Sequence, residues 1–314
     1  MKQVELLGLS KSELVEFAET LGEPAYRGRQ IFAALHNRRL RNFDEMSDLP
    51  KDLRSRLNDV AKSSSLTVES RYLSSDGTRR YLMKTHDNLP VETVFIPEER
   101  RDTICFSSQS GCPLQCTFCL TAQLGLLRSL TTSEIVEQII IALNDAYGVG
   151  NKPPRGTNLV GMGAGEPFLN FDSLLKALRV MSDPDGLFIV RNRVTVSTAG
   201  VVPKILELAG VSDRPHLAIS LAAPTDELRD VLMPINKKWP LEELLNVVHF
   251  KWKIDAVDVF FDESSVMDVR RDGVHDWQTR KSADHRFIVD RVEMVKRAEL
   301  ASVELAGRGG VVVV

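Results

Sequence analysis

The stretch 103-TICFSSQSGCPLQCTFC-119 decides the fold: an apolar, strand-like run leads directly into three closely spaced cysteines. Cys112, Cys116 and Cys119 follow the pattern Cys-x3-Cys-x2-Cys. Three thiolates at this spacing can wrap one face of an iron-sulfur cubane and leave the fourth iron open to a small molecule, whereas four-cysteine ferredoxin spacings saturate the cluster. A structural zinc site is the alternative, but zinc sites pair short knuckles from separate segments and need a fourth ligand. No histidine lies nearby, and Cys105 is the remaining candidate for that place. Buried, inert cysteines are the plainest reading, and three at this spacing beside Gly111 and Pro113 fit it poorly. All 4 cysteines fall between positions 105 and 119. A disulfide framework would spread its cysteines along a small secreted chain, so a reduced compartment and a metal or redox role fit better.

Outward from this motif, the chain after Thr103 alternates short apolar runs with amphipathic segments, the mark of a parallel α/β arrangement. The runs at 103–108, 158–163, 193–198 and 216–221 read as strands. Between them, Thr131 and Glu134 form a capping box for a helix through Asp145 that Gly148 stops, and FDSLLKALRVM, VPKILELA and TDELRDVL read as further helices. Upstream, residues 63–98 alternate as a β-hairpin turning at Asp76-Gly77, followed by the strand VETVFIP. Residues 1–62 read as a small helical module, with Ser10 and Ser47 as N-terminal caps and Gly22 as a stop. The division expected is therefore 1–62, 63–98, an α/β core over 99–249, and an atypical tail over 250–314 that holds one strand-like run, DAVDVFF.

At 314 residues, with 43% hydrophobic and 26% charged positions, the chain has material for one large domain and a small accessory one. No apolar run approaches membrane-spanning length, and the N-terminus lacks the pattern of a secretory signal, so a cytoplasmic protein without a membrane partner is expected. The net charge of -3 does not announce a nucleic-acid binder. Locally, however, Arg27 to Arg56 holds eight Arg or Lys against four Asp or Glu. Such a cluster is most often a solvated face.

Cys-x3-Cys-x2-Cys with Phe118 before the last cysteine resembles the signature of radical S-adenosylmethionine enzymes. YRGRQIF, MSDLPKDLR, VETVFIP, CFSSQSGCPLQCTFC, GEPFLN, RVTVSTAGVVP, ISLAAPTDELRD and PINKK, in this order up to about residue 249, resemble the RlmN family of RNA adenosine carbon-2 methyltransferases. The resemblance implies a partial (β/α) TIM-like barrel, preceded by a helical RNA-binding domain and a short β-hairpin, with its chemistry at the C-terminal ends of the strands. It implies a 4Fe-4S cluster on Cys112, Cys116 and Cys119, and S-adenosylmethionine bound by Gly165, Glu166, Ser197, Ser220, Leu221 and Ala222. It gives Glu92 the role of proton acceptor and Cys105 that of the thiol which releases the methylated RNA from a methylene-bridged adduct. In the implied route, reductive cleavage of the cofactor yields a 5′-deoxyadenosyl radical that abstracts hydrogen from a methyl group carried on a cysteine, and the resulting carbon radical adds to adenine carbon 2. The implied partners are 23S rRNA, tRNA and an electron donor such as flavodoxin or ferredoxin, with the enzyme a monomer. Arg27, Arg29, Arg38, Arg39, Arg41, Arg54 and Arg56 then become an expected RNA-positioning surface.

The family route also needs a methyl-carrying cysteine late in the chain, and none follows Cys119. The later barrel strands are not recognisable after residue 250 either. A shifted reading frame, a truncation or a genuinely divergent tail would each produce this break. The expectation is a chain that binds a cluster but is impaired in methylation, with a non-methylating radical enzyme or an RNA-binding iron-sulfur protein as alternatives.

Overall fold

The computed structural model describes residues 3–252 except Pro224, and the strand segments 256–262, 265–270, 273–279 and 311–313. The first 62 residues hold strand β1 (Val4–Glu5), helices α1 (Lys11–Thr20), α2 (Ala25–Phe32) and α3 (Lys51–Val60), and strand β2 (Ala61–Lys62). Strands β3 (Leu66–Leu73), β4 (Arg79–Thr85), β5 (Pro90–Pro97) and β6 (Arg101–Cys105) follow. Next come β7 (Gln109–Gly111), the single turn α4 (Leu120–Gln123), β8 (Leu126–Ser129) and α5 (Thr132–Tyr147). The alternating part continues with β9 (Gly156–Gly161), α6 (Phe171–Ser182), β10 (Val194–Thr198), α7 (Val202–Ala209), β11 (His216–Ile219), α8 (Asp226–Leu232) and α9 (Leu241–Trp252). Strands β12 (Ala256–Asp262), β13 (Ser265–Arg270), β14 (Gly273–Thr279) and β15 (Val311–Val313) complete the described chain, β12 coinciding with the DAVDVFF run.

These elements form two compact units, one of residues 1–110, 128–159 and 170–190, the other of 111–127, 160–169 and 191–314. In the first, β3 to β6 pair in sequence order, each antiparallel to the next. The Asp76-Gly77 turn forms as read: Gly77 has φ +86°, and Thr78 N donates to Asp76 Oδ1 at 2.9 Å. Helix α1 begins at a capping box in which Glu13 N donates to Ser10 Oγ and Ser10 N to Glu13 Oε2. Helix α2 crosses it at Gly28, where an added Cβ would lie 2.4 Å from Leu14 O and Val15 Cα, so only glycine allows this approach. The expected cap at Ser47 is not used. Helix α3 starts at Lys51 behind Pro50, whose ring fixes the entering backbone angle.

Helix α5 is buried on most of its surface, and its polar residues tie the first unit together. Its expected capping box forms between Thr131 and Glu134, and Gly148 ends it at φ +84°. Glu137 accepts hydrogen bonds from Ser65 N and from Leu66 N (2.9 Å), and Arg41 Nε donates to it at 2.8 Å. Most of the arginines expected to face RNA also make contacts within the chain, and Arg39 is buried by them. Arg39 is 3% exposed and donates to Asn144 Oδ1 and to the carbonyls of Gly148 and Asn151. Arg38 pairs with Asp48, Arg56 with Glu23 and Asp52, Arg27 reaches Gln30, and Arg54 donates to Asp44 O. Arg29 remains exposed.

In the second unit the sheet is rich in parallel pairs. Strands β10 and β11 run parallel with Ser197 opposite Ala218 and Thr198 opposite Ile219, joined through α7 as a βαβ unit. Strand β15 lies parallel between β11 and β12, and β13 and β14 continue antiparallel. Residues 194–196 and 217–219 are all buried, as expected of strands covered on both faces. Among the described residues no helix is long and apolar enough to cross a membrane.

Candidate cluster and cofactor site

The cysteine loop is closed at its neck. Gly111 adopts φ +79°, and an added Cβ would sit 1.8 Å from Gly125 O, while Cys112 N donates to that same carbonyl at 3.0 Å. Within the loop Gln115 takes a left-handed conformation at φ +56°, Cys119 N donates to Cys116 O, and Thr117 N donates to Leu232 O at 3.0 Å. Cys116 packs with Ala199 and Met233, and Cys119 and Ala222 lie against the same cluster. Phe118, Leu120 and Leu124 are exposed.

None of the four cysteines is in a disulfide. Burial pushes the Cys112 thiol up to about 11, and burial, with the neighbouring cysteines, pushes Cys116 up to about 12. Both are therefore neutral at pH 7, and a metal that binds them must displace their protons. Among the described residues one trio of His, Cys, Asp or Glu has its ligand atoms all within 4.8 Å of one another, namely His86, Asp87 and Glu134. The three cysteine sulfurs are not all within that distance of one another. A cubane presents a separate iron to each thiolate and so does not require the three sulfurs to converge on one ion. The His86 trio is no rival centre, because Arg128 forks across Asp87 and Glu134 with four contacts of 2.7–2.8 Å.

The strand ends of the same unit carry the expected cofactor positions. Gly165 has φ +98°, and Glu166 is 3% exposed, its carboxylate accepting from Phe168 N at 3.0 Å and Ala199 N at 2.8 Å. Burial holds the Glu166 carboxyl above the usual carboxylate range despite these donors. Ser197 and Ser220 bring their hydroxyls within 3.1 Å of each other; Leu221 is fully buried and Ala222 is left-handed at φ +59°. The structure therefore gathers the tripod, Glu166 and the β10 and β11 ends into one unit.

Glu92 and Cys105 belong to the first unit. Cys105 ends β6 opposite Val94 of β5, which puts Glu92, two residues along, on the same face of the sheet. Cys105 is 5% exposed, while the Glu92 carboxylate lies 3.6 Å from Arg80. Beyond Cys105 the backbone is fixed by two buried amides. Gln138 exchanges hydrogen bonds with both Ser107 N and Ser107 O, and Asn170 Nδ2 donates to Ser108 O and Leu130 O at 2.8 Å. Sequence reasoning missed Gln138, Asn170 and the buried Arg229. The available signal for Gln138 was a polar residue inside the apolar run IVEQIII.

Comparison with known proteins agrees with this geometry. Residues 4–62 match the model of the ribosomal RNA large subunit methyltransferase N-terminal domain, and residues 106–250 that of the radical SAM superfamily. A radical SAM methyltransferase of known crystal structure, from Sphaerobacter thermophilus, superposes with TM-score 0.76 at 37% identity, covering 80% of this chain and 73% of that one. Fold and site together define a radical S-adenosylmethionine enzyme. Dual-specificity RNA methyltransferases RlmN from Halorhodospira halophila and Geobacter sulfurreducens are each 47% identical, over 78% and 77% of this chain and 67% and 65% of their own lengths. A probable RlmN from Moorella thermoacetica is 40% identical over 98% of this chain and 87% of its own. The chain belongs to the RlmN family of radical SAM RNA methyltransferases, which use a 4Fe-4S cluster and S-adenosylmethionine.

Proposed function

We propose that this chain is of the type that methylates adenosine carbon 2 in 23S rRNA and tRNA, that it holds the family's cluster on Cys112, Cys116 and Cys119 and binds S-adenosylmethionine with Gly165, Glu166, Ser197, Ser220, Leu221 and Ala222, and that it is impaired in the methyl transfer itself. The observation that carries the reading is the packing of Cys116 against Ala199 and beside Ala222, which sets the tripod next to the strand ends. When bound, the cluster supplies one electron for reductive cleavage of the sulfonium. The chain's own residues do the rest. The glycine at 165 and the left-handed Ala222 turn backbone groups toward a ligand, and the hydroxyls of Ser197 and Ser220 offer it hydrogen bonds. Glu92 is the group to accept a proton on the RNA side, and Cys105 the thiol to attack the adduct. An electron donor of the flavodoxin or ferredoxin kind has exposed apolar side chains, Phe118 and Leu120, beside Cys119 to approach. The target base must be unstacked or flipped to be reached.

A second reading, a non-methylating relative, is favoured by one specific observation: no cysteine follows Cys119 in the 314 residues. The matched region extends past residue 250 in the Moorella relative, which supports a divergent tail over a shifted frame. The polypeptide of this sequence is expected to cleave S-adenosylmethionine to 5′-deoxyadenosine and to leave 23S rRNA and tRNA without carbon-2-methyladenosine. Nucleoside mass spectrometry after anaerobic incubation checks this. Methylated adenosine at a level absent from a cluster-free control would show that the methyl transfer runs without a late cysteine.

A further inference from the structure

Among the described residues Arg229 of α8 is the largest fully buried side chain, 0% exposed, and none of the hydrogen-bond acceptors of its guanidinium is a carboxylate. Each of its three nitrogens nevertheless donates. Nε donates to Leu221 O at 2.8 Å, Nη1 to Asn236 Oδ1 at 2.7 Å, and Nη2 to Ala199 O at 2.6 Å and Ser220 O at 3.2 Å. Asn236 passes the load outward, its amide donating to Asp226 Oδ1 and Asp230 Oδ1 at 2.8 and 2.7 Å. Three of the four acceptors are carbonyls just beyond the ends of β10 and β11. The peptide of Ala199 is gripped from both sides, its N–H by Glu166 and its carbonyl by Arg229, and its side chain packs on Cys116.

A buried cation is costly unless hydrogen-bonded and compensated by negative charge. The hydrogen bonds are in place, and the carboxylates sit one residue further out. Tripod thiolates carrying an iron-sulfur group would supply negative charge on the other side. We propose that Arg229 is a positioning residue for the cluster and cofactor: its fork sets the peptides of Ala199, Ser220 and Leu221, and its fixed charge faces the group held through Cys116. Arginine suits both tasks, because its planar fork orders several carbonyls at once and it stays charged when buried. The surroundings of a metal centre tune its potential, and loss of an outer partner typically weakens binding.

The inference rests on cluster binding by the tripod and needs no RNA chemistry. The test uses the full chain, reconstituted anaerobically, as wild type, Arg229→Gln and Arg229→Lys. Cluster midpoint potential is measured by EPR-monitored redox titration and S-adenosylmethionine affinity by equilibrium binding. Arg229→Gln is expected to shift the potential to more negative values, because a positive charge that favours the reduced cluster is gone. Arg229→Lys keeps the charge and should hold the potential near wild type, yet bind the cofactor about tenfold more weakly because an ammonium cannot span the same carbonyls. If Arg229→Gln does not fold, the split between affinity and potential in Arg229→Lys still decides. Wild-type potential and affinity in the lysine variant and in any folded glutamine variant, with only the melting temperature lowered, would overturn the proposal and leave Arg229 a scaffold residue. A wild-type chain that takes up no iron would overturn the proposed function together with it.

Discussion

His36 shows how a single side chain sets a pH limit on this molecule. It is fully buried against Phe32, its ring centroid 4.5 Å from the phenyl, and neither ring nitrogen has a hydrogen-bond partner. Burial lowers its pKa from the ordinary 6.5 to about 3. The folded chain therefore refuses a proton that the unfolded chain accepts. Stability attached to this site is intact above about pH 6.5 and is lost as the pH falls toward 3. Thermal melts between pH 7 and pH 4 should show His36→Leu losing less stability than wild type across that window; equal slopes would remove His36 from the account. Other residues differ in how well their sequence context announces them. The tripod is legible because its spacing alone constrains three thiolates. Arg229 is not, because in TDELRDVL it has the look of any surface charge on an amphipathic helix. For the arginines of 27–56, composition counts charges without saying which carboxylate or carbonyl each one meets, and Arg39 and Arg41 turn inward to α5 and its surroundings.

At the scale of elements, the loop from Gly111 to Gly125 is the piece on which the chemistry depends. Its neck leaves no room for a side chain at Gly111, whose left-handed φ already disfavours one. Gly111→Ala should force the two strands of the neck apart at a cost of about 1–3 kcal/mol, as overpacking does elsewhere. Iron and sulfide content per chain should fall well below wild type while far-ultraviolet circular dichroism stays native. Full cluster content in that variant would mean the neck does not hold the cysteines. The helices and strands around this loop were legible in outline, since capping boxes at Ser10 and Thr131 and apolar runs at 194–198 and 216–219 carry local signals that the packing obeys. Ser47 failed as a cap because Pro50 makes the entry to α3 by backbone restriction, a route the presence of a serine does not reveal. Asn170, which fixes the segment leading to the cysteines, was invisible because its partners are backbone groups distant in sequence, whereas Gln138 left only the trace of a polar residue in an apolar run.

For the whole molecule, the family likeness and the site agree that this is a radical SAM chain, and its departure lies in cysteine content rather than in the cluster motif. No cysteine follows Cys119 in this sequence, while the tripod, Glu166 and the serine pair lie in one unit. Cluster assembly is the part of the proposed function that can be tested apart from methyl transfer. The most direct test is anaerobic reconstitution followed by iron and sulfide quantification and EPR of the dithionite-reduced protein, with and without S-adenosylmethionine. The prediction is about four irons and four sulfides per chain, an EPR signal that changes on adding S-adenosylmethionine, and loss of both in Cys116→Ala. Zinc in place of iron, or a cluster whose spectrum is indifferent to S-adenosylmethionine, would contradict it.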